Sequence, residues 1–146
     1  MSATNPLLFG DLLALARERW VSAMALSLAE KGYPGYRRSD AVAMRFLHSS
    51  SRALGAFAAP LGGSRQATRK VVTGLIERGY ATLESDPGDA RRRHVTLTPV
   101  GRAYAEAVLD TLNALSREVT EKVSPEELAA AVSVLTFVKD ALATVG

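Results

Sequence analysis

The chain has no cysteine among its 146 residues and only two histidines. Without thiols, disulfides, thiolate metal ligation and cysteine redox sensing are excluded. His48 and His94 stand far apart and outside any HExxH or comparable ligand spacing, so no metal site is expected. A phosphate-cradling glycine loop and a nucleophile elbow are also missing, so neither an enzyme nor a cofactor is expected. Long hydrophobic runs are lacking too. The longest uncharged ones, Trp20 to Ala29 and Leu128 to Val138, fall short of the roughly 20 residues a membrane-spanning helix needs. The first residues show no basic stretch followed by an apolar one, the pattern of a secretory signal. A cytoplasmic protein without a membrane partner is the expectation.

What is present suffices for a core. Apolar residues make up 47% of the chain, too many for a disordered segment, and the length suits one domain over residues 1–146. The net charge of +3 is unevenly spread. Residues 1–63 carry seven Lys/Arg against four Asp/Glu, and the shorter stretch 64–98 carries the same numbers. Residues 99–146 reverse the sign, with four against seven. Phosphate backbones attract the first kind of surface and repel the last, although soluble proteins also show such asymmetries without binding nucleic acid.

The stretch 64–98 carries the most information. Ser64 suits a helix N-cap, and Gly79 suits the left-handed residue just past a helix end, so the spacing predicts a helix to about Arg78. At about 100° per residue, Thr68, Val71, Val72 and Leu75 share one face. Gln66, Arg69, Lys70 and Thr73 share the opposite face, with Arg65 on its flank. Arg, Gln and Thr are side chains that pair with guanine, adenine and the thymine methyl in a major groove, and the amides beside Ser64 suit a phosphate. An ordinary solvated helix can carry such a face. This face, however, has no acid before Glu77. Two strands are expected next, Ala81 to Glu84 and Arg93 to Leu97, around a turn at Asp86-Pro87-Gly88-Asp89. Arg91, Arg92 and Arg93 then crowd the hairpin tip, where like charges repel unless an anion or Asp86 and Asp89 intervene. A reading helix followed by a basic hairpin describes a winged helix-turn-helix and points to DNA binding. The alternative is a winged-helix module that binds protein and no DNA.

Elsewhere the chain reads as helices. Leu8 to about Lys31 places Leu8, Leu12, Leu15, Trp20, Met24 and Leu28 at helical spacing. Ser39 or Asp40 caps a second helix to about His48. A short third helix is expected from Arg52 to about Ala59, closed by Pro60. Thr98-Pro99 opens a fifth helix, running to about Val123. Ser124-Pro125-Glu126-Glu127 forms a capping box for a last helix to about Thr144. Trp20, Met24, Tyr36, Met44 and His48 form a candidate effector pocket, though each taken singly reads more readily as core.

At this point the residues resemble a known family. Phe57-Ala58, Leu61-Gly62, Ser64-Arg65-Gln66-Ala67-Thr68, Val71-Val72, Leu75 and Gly79-Tyr80 are spaced as in the helix-turn-helix of MarR-type regulators. Asp86-Pro87, Asp89, Arg91, Val95, Leu97-Thr98 and Gly101 are similar to that family's wing and the start of its dimerisation helix. The resemblance is strong over about Ser39 to Gly101; the flanking helices match in length and position only. It implies a mainly α fold with a small β-hairpin, in which 39–98 form the winged-helix part and 7–31 with 99–146 form dimerisation helices. It further implies a homodimeric, ligand-responsive repressor that binds a pseudo-palindromic double-stranded DNA operator. Ser64, Gln66, Arg69 and Lys70 would then sit in the major groove, with Arg91 as the wing arginine. The chain departs from the pattern at Ala90, where many members carry another arginine. Pro60 in the third helix and Gly74 in the reading helix are further departures.

Overall fold

The structure is a computed structural model that describes residues 5, 8–49, 51–53, 56, 64–86 and 88–142. In chain order the elements are α1 (Leu8–Glu30), α2 (Asp40–His48), β1 (Arg52–Ala53), α3 (Arg65–Glu77), β2 (Ala81–Asp86), β3 (Asp89–Leu97), α4 (Pro99–Thr120) and α5 (Pro125–Ala141). The chain divides into two compact units, 1–112 and 113–146.

The first unit is built around α2, α3 and a small antiparallel sheet of order β1-β3-β2. Its core is made of Met24 and Leu28 from α1, Met44 and Leu47 from α2, Leu75 from α3, Val95 from β3, and Tyr104 and Val108 from α4. Burial of each such side chain contributes about 1.5–3 kcal/mol. In β3 the side chains alternate, so Val95 and Leu97 face the core while His94 and Thr96 turn to the other side. β2 pairs along it from Ala81↔Leu97 to Ser85↔Arg93, and then slips at Ser85/Asp86 to close on Asp89.

Several sequence expectations are met at helix ends. Ser64 Oγ accepts the Ala67 amide at 3.2 Å. Gly79 has φ +79°, and there the Tyr80 amide donates to Leu75 O and the Gly79 amide to Ile76 O. That pair of bonds is the Schellman arrangement, which a residue with a Cβ enters only at a cost. Ser124 and Glu127 form the reciprocal capping box.

Other expectations are corrected. Arg52 and Ala53 do not begin a helix. They form a strand beside Val95 and His94, because the open edge of β3 offers backbone partners that a short isolated helix cannot match. The rest of the expected third helix, including Pro60, lies outside the described residues apart from Ala56. The hairpin strands are longer than expected, so Arg91, Arg92 and Arg93 lie within β3 and not in the turn. Ser39 occupies the N-cap of α2 without a side-chain cap bond, and Asp40 Oδ2 accepts the Arg37 amide at 3.0 Å in its place. In α1 only Met24 and Leu28 are buried. Leu8, Leu12 and Leu15 are exposed, so the first half of the apolar stripe does not join this chain's core.

The second unit contains the end of α4 and all of α5. None of the α5 side chains is buried, and Phe137 is 71% exposed. At its first turn the Ser124 amide and hydroxyl hold the Glu127 carboxyl below its ordinary value, because both bonds favour the ionised form.

The N-terminal turn of α4 approaches the turn after α3 closely. Thr98 Oγ1 donates to Gly79 O at 2.6 Å and accepts the Gly101 amide at 3.0 Å. The Thr98 amide donates to Tyr80 O. A Cβ on Gly101 would overlap the Tyr80 carbonyl. Since the clash is with backbone, Gly101→Ala is expected to cost about 3 kcal/mol, the upper end for an overpacked site. Urea unfolding checks this; a midpoint unchanged from wild type would show that helix and turn separate freely.

Candidate nucleic-acid interface

The α3 helix is amphipathic as its sequence dictates. Thr68, Val72, Gly74 and Leu75 are buried, while Arg65, Gln66, Arg69, Lys70 and Thr73 are all exposed. Thr68 Oγ1 donates to Ser64 O at 3.0 Å, so its hydroxyl is satisfied beneath the first turn. The outward face therefore displays three cations, an amide and a hydroxyl, with no carboxylate before the last residue, Glu77. Its N-terminal amides beside Ser64 add positive potential at the same end. Gly74 sits under Arg37, whose Nη1 would lie 2.5 Å from an added Cβ. The glycine thus seats a guanidinium against α3, which accounts for a residue otherwise unfavourable in a helix by about 1 kcal/mol.

The hairpin presents its arginines differently from a loop. Arg91, Arg92 and Arg93 are consecutive strand residues and all exposed. Alternation sends Arg91 and Arg93 to one face of β3 and Arg92 to the other. Asp89 Oδ1 accepts the Arg91 amide at 3.0 Å, so it stiffens the turn and leaves the guanidinium groups alone. Among the described residues no carboxylate pairs with these three guanidinium groups. Exposed as they are, these groups suit an outside anion such as a phosphate or the floor of a narrow minor groove.

The end of α3 is locked by an ion pair. Asp40 is fully buried, whereas the Arg78 side chain keeps 20% of its surface. Arg78 donates from Nη2 to Asp40 Oδ1 at 2.7 Å and from Nη1 to Oδ2 at 2.9 Å, a bidentate fork. Tyr104 of α4 donates its hydroxyl to the same Oδ2 at 2.7 Å. With the Arg37 amide, the carboxylate receives four donors. A buried charge is tolerated only when matched in this way, and removing one partner costs about 3–5 kcal/mol. Tyr80 stacks on Tyr104 at 4.3 Å between centroids, and Tyr33 tilts against it at 5.2 Å. Arg78 also lies over the Tyr80 ring. The bond to Asp40 holds the Arg78 guanidinium firmly charged, above its ordinary range. Burial, followed by the bond to Asp40, pushes the Tyr104 phenol up and keeps it protonated as a donor.

The same fold is found in solved structures. Over 97% of this chain and 99% of the other, the PcaV transcriptional regulator from Streptomyces coelicolor, solved with its natural ligand, superposes with TM-score 0.76 at 17% identity. BpsR from Bordetella bronchiseptica, described as regulated in DNA binding by 6-hydroxynicotinic acid, gives 0.72 at 24% over 90% and 93%. A mutant MarR from E. coli complexed with operator DNA gives 0.70 at 17% over 92% and 99%. The fold is that of the MarR-type winged helix. No protein-family model and no curated protein matches the chain.

Within this MarR-type fold the five candidate effector residues differ in burial. Met24 and Met44 are fully buried. Trp20, Tyr36 and His48 are half-buried, and His48 Nε2 lies 4.0 Å from Glu106. Burial pushes the Tyr36 phenol up, with Asp40 adding to the effect. An open cavity of about 470 Å³ is lined instead by Ala14, Arg17, Glu18, Val21, Ser22 and Arg38, none of them in that set. Sequence reasoning also missed the Arg78–Asp40–Tyr104 cluster. One signal was available: Asp40 is the sole acidic residue between Glu30 and Glu77. A lone carboxylate in a basic stretch is a natural partner for a buried arginine.

Proposed function

We propose that this chain is a sequence-specific DNA-binding transcriptional regulator acting as a homodimeric, ligand-responsive repressor, with one MarR-type domain per subunit. The observation that carries the proposal is the exposed face of α3, with no acid before Glu77, beside a hairpin whose three exposed arginines pair with no carboxylate among the described residues. Gln66, Arg69, Lys70 and Thr73, flanked by Ser64 and Arg65, read base edges in a major groove. Arg91, Arg92 and Arg93 bind the flanking backbone or minor groove. Phosphate contacts supply affinity and the α3 face supplies specificity. MarR complexed with operator DNA supports this by fold likeness.

The dimer is supported by apolar side chains left uncovered in the single chain, Leu8, Phe9, Leu12 and Leu15 on α1 and Leu135 and Phe137 on α5. With two subunits the operator is pseudo-palindromic. The effector acts by binding one spacing of the two heads better than the other, since only differential affinity shifts such an equilibrium. Trp20, Met24, Tyr36, Met44 and His48 are its proposed contacts. We assign no enzymatic activity. No helix among the described residues is long and apolar enough to cross a membrane, and we place the protein in the cytoplasm.

Arg69→Ala is expected to cost about 1–3 kcal/mol on a preferred duplex and to relax sequence preference. Equal losses on preferred and random DNA, read by fluorescence anisotropy, would remove Arg69 from base reading. Arg91→Ala is expected to weaken both duplexes alike and to lower the salt slope by about one; an unchanged slope would remove the wing.

Trp20 is the single tryptophan, so its emission reports the proposed effector site. Small aromatic acids such as 6-hydroxynicotinic acid are expected to change that emission saturably and to weaken DNA binding in parallel. Ligands that release DNA while leaving the emission unchanged would place the effector elsewhere.

A further inference from the structure

Arg78 is a cation next to the reading helix, and its sequence position alone would make it a candidate phosphate contact. The geometry points elsewhere: we infer that Arg78, Asp40 and Tyr104 form a positioning device that sets how α3 is presented to DNA, and that Arg78 makes no DNA contact itself. The inference rests on the DNA-reading function proposed above.

Three observations carry it. First, the guanidinium makes four hydrogen bonds within the protein. Nη1 and Nη2 fork onto the Asp40 carboxylate, Nε donates to Gly74 O at 3.3 Å, and Nη1 also reaches Gly35 O at 3.4 Å. A phosphate would have to break a bidentate pair whose carboxylate partner has no access to water. Second, the cluster joins three elements at a single point. Arg78 is the C-cap of α3, Asp40 is the first residue of α2 and Tyr104 lies in α4. Third, the joint is directional. Bidentate pairing fixes the plane of the guanidinium, and the stacked Tyr80 and Tyr104 rings stop the turn after α3 from sliding along α4. Reading side chains must meet base edges within a fraction of an ångström, so a small pivot of α3 harms sequence-specific contacts more than it harms charge attraction.

Asp40 and Arg78 therefore act on specificity from behind the reading face. A residue of this kind has a different signature from a phosphate contact. Losing a phosphate contact weakens all duplexes alike and lowers the salt slope by about one. Loosening the joint weakens preferred sites selectively and leaves the slope unchanged.

The test uses the full chain as wild type, Tyr104→Phe, Asp40→Asn and Arg78→Lys. Binding is measured on a duplex enriched by selection and on a random duplex across a salt series, with circular dichroism confirming that each protein is folded at the assay temperature. Tyr104→Phe keeps the ring stack and removes one donor, so it serves if the two charge variants fail to fold. The expected result is a loss of about tenfold or more on the preferred duplex, comparable to one charge-assisted hydrogen bond. The random duplex should change less than about twofold and the salt slope should stay at the wild-type value. Arg78→Lys, which keeps the charge but not the fork, should not rescue the preference. Equal losses on both duplexes with a reduced slope in Arg78→Lys would make Arg78 a phosphate contact and overturn the inference. Folded variants with wild-type preference would overturn it too, and leave DNA reading intact. Wild-type protein that binds no duplex at low salt would sink the inference together with the function it rests on.

Discussion

A carboxylate with no surface exposed to water holds the winged-helix part of this molecule together. Asp40 opens α2, and its two oxygens receive the Arg78 fork, the Tyr104 hydroxyl and the Arg37 amide. Burying such a charge is costly, and only this complete set of donors offsets the cost. The geometry is consequently narrow: the start of α2, the end of α3 and the second turn of α4 must meet at one point for the carboxylate to be matched. The Schellman turn at Gly79, the close backbone approach at Gly101 and the stacked tyrosines surround that point and reinforce it. These contacts fix the floor on which α3 rests, and the basic face of α3 points away from it.

The division of labour between the two faces of α3 follows. The inner face needs shape, and Thr68, Val72, Gly74 and Leu75 fill it. The outer face contributes little to stability, so its residues are free to be chosen for chemistry. Three neighbouring arginines on β3 and a helix face with no acid before Glu77 are poor choices for a surface whose only task is solubility, because like charges destabilise one another. They are good choices for a polyanion. The apolar side chains left open on α1 and α5 show the same economy, since each helix carries more apolar surface than one chain covers.

Much of this was legible in the sequence wherever the chemistry is local. The limits of α3, the turn at Gly79 and the capping box at Ser124 depend on residues within a few positions of each other, and propensity and cap rules decide them. The two faces of α3 followed from spacing alone. Distant partners were not legible. Arg52 and Ala53 became a strand because β3, some forty residues away in sequence, offered an edge. Asp40 looked like a helix cap because its partners, Arg78 and Tyr104, lie in other elements. The stripe on α1 correctly predicted a helix, but periodicity does not say whether the same chain or another covers it. Beginning the second strand only at Arg93 fell short for a related reason: cross-strand pairing with β2 extended β3 outward to Asp89.

The central claim is that the α3 face reads sequence and the hairpin binds the flanking backbone. Its most direct test is selection of duplexes from a random library by the purified protein, followed by footprinting of the enriched site. The account predicts a two-fold-symmetric site whose half-sites lie about one helical turn apart, with protected major-groove bases in each and protected flanking backbone beyond. Enrichment of no sequence, together with no duplex binding at low salt, would contradict it and identify the winged helix as a protein-binding module.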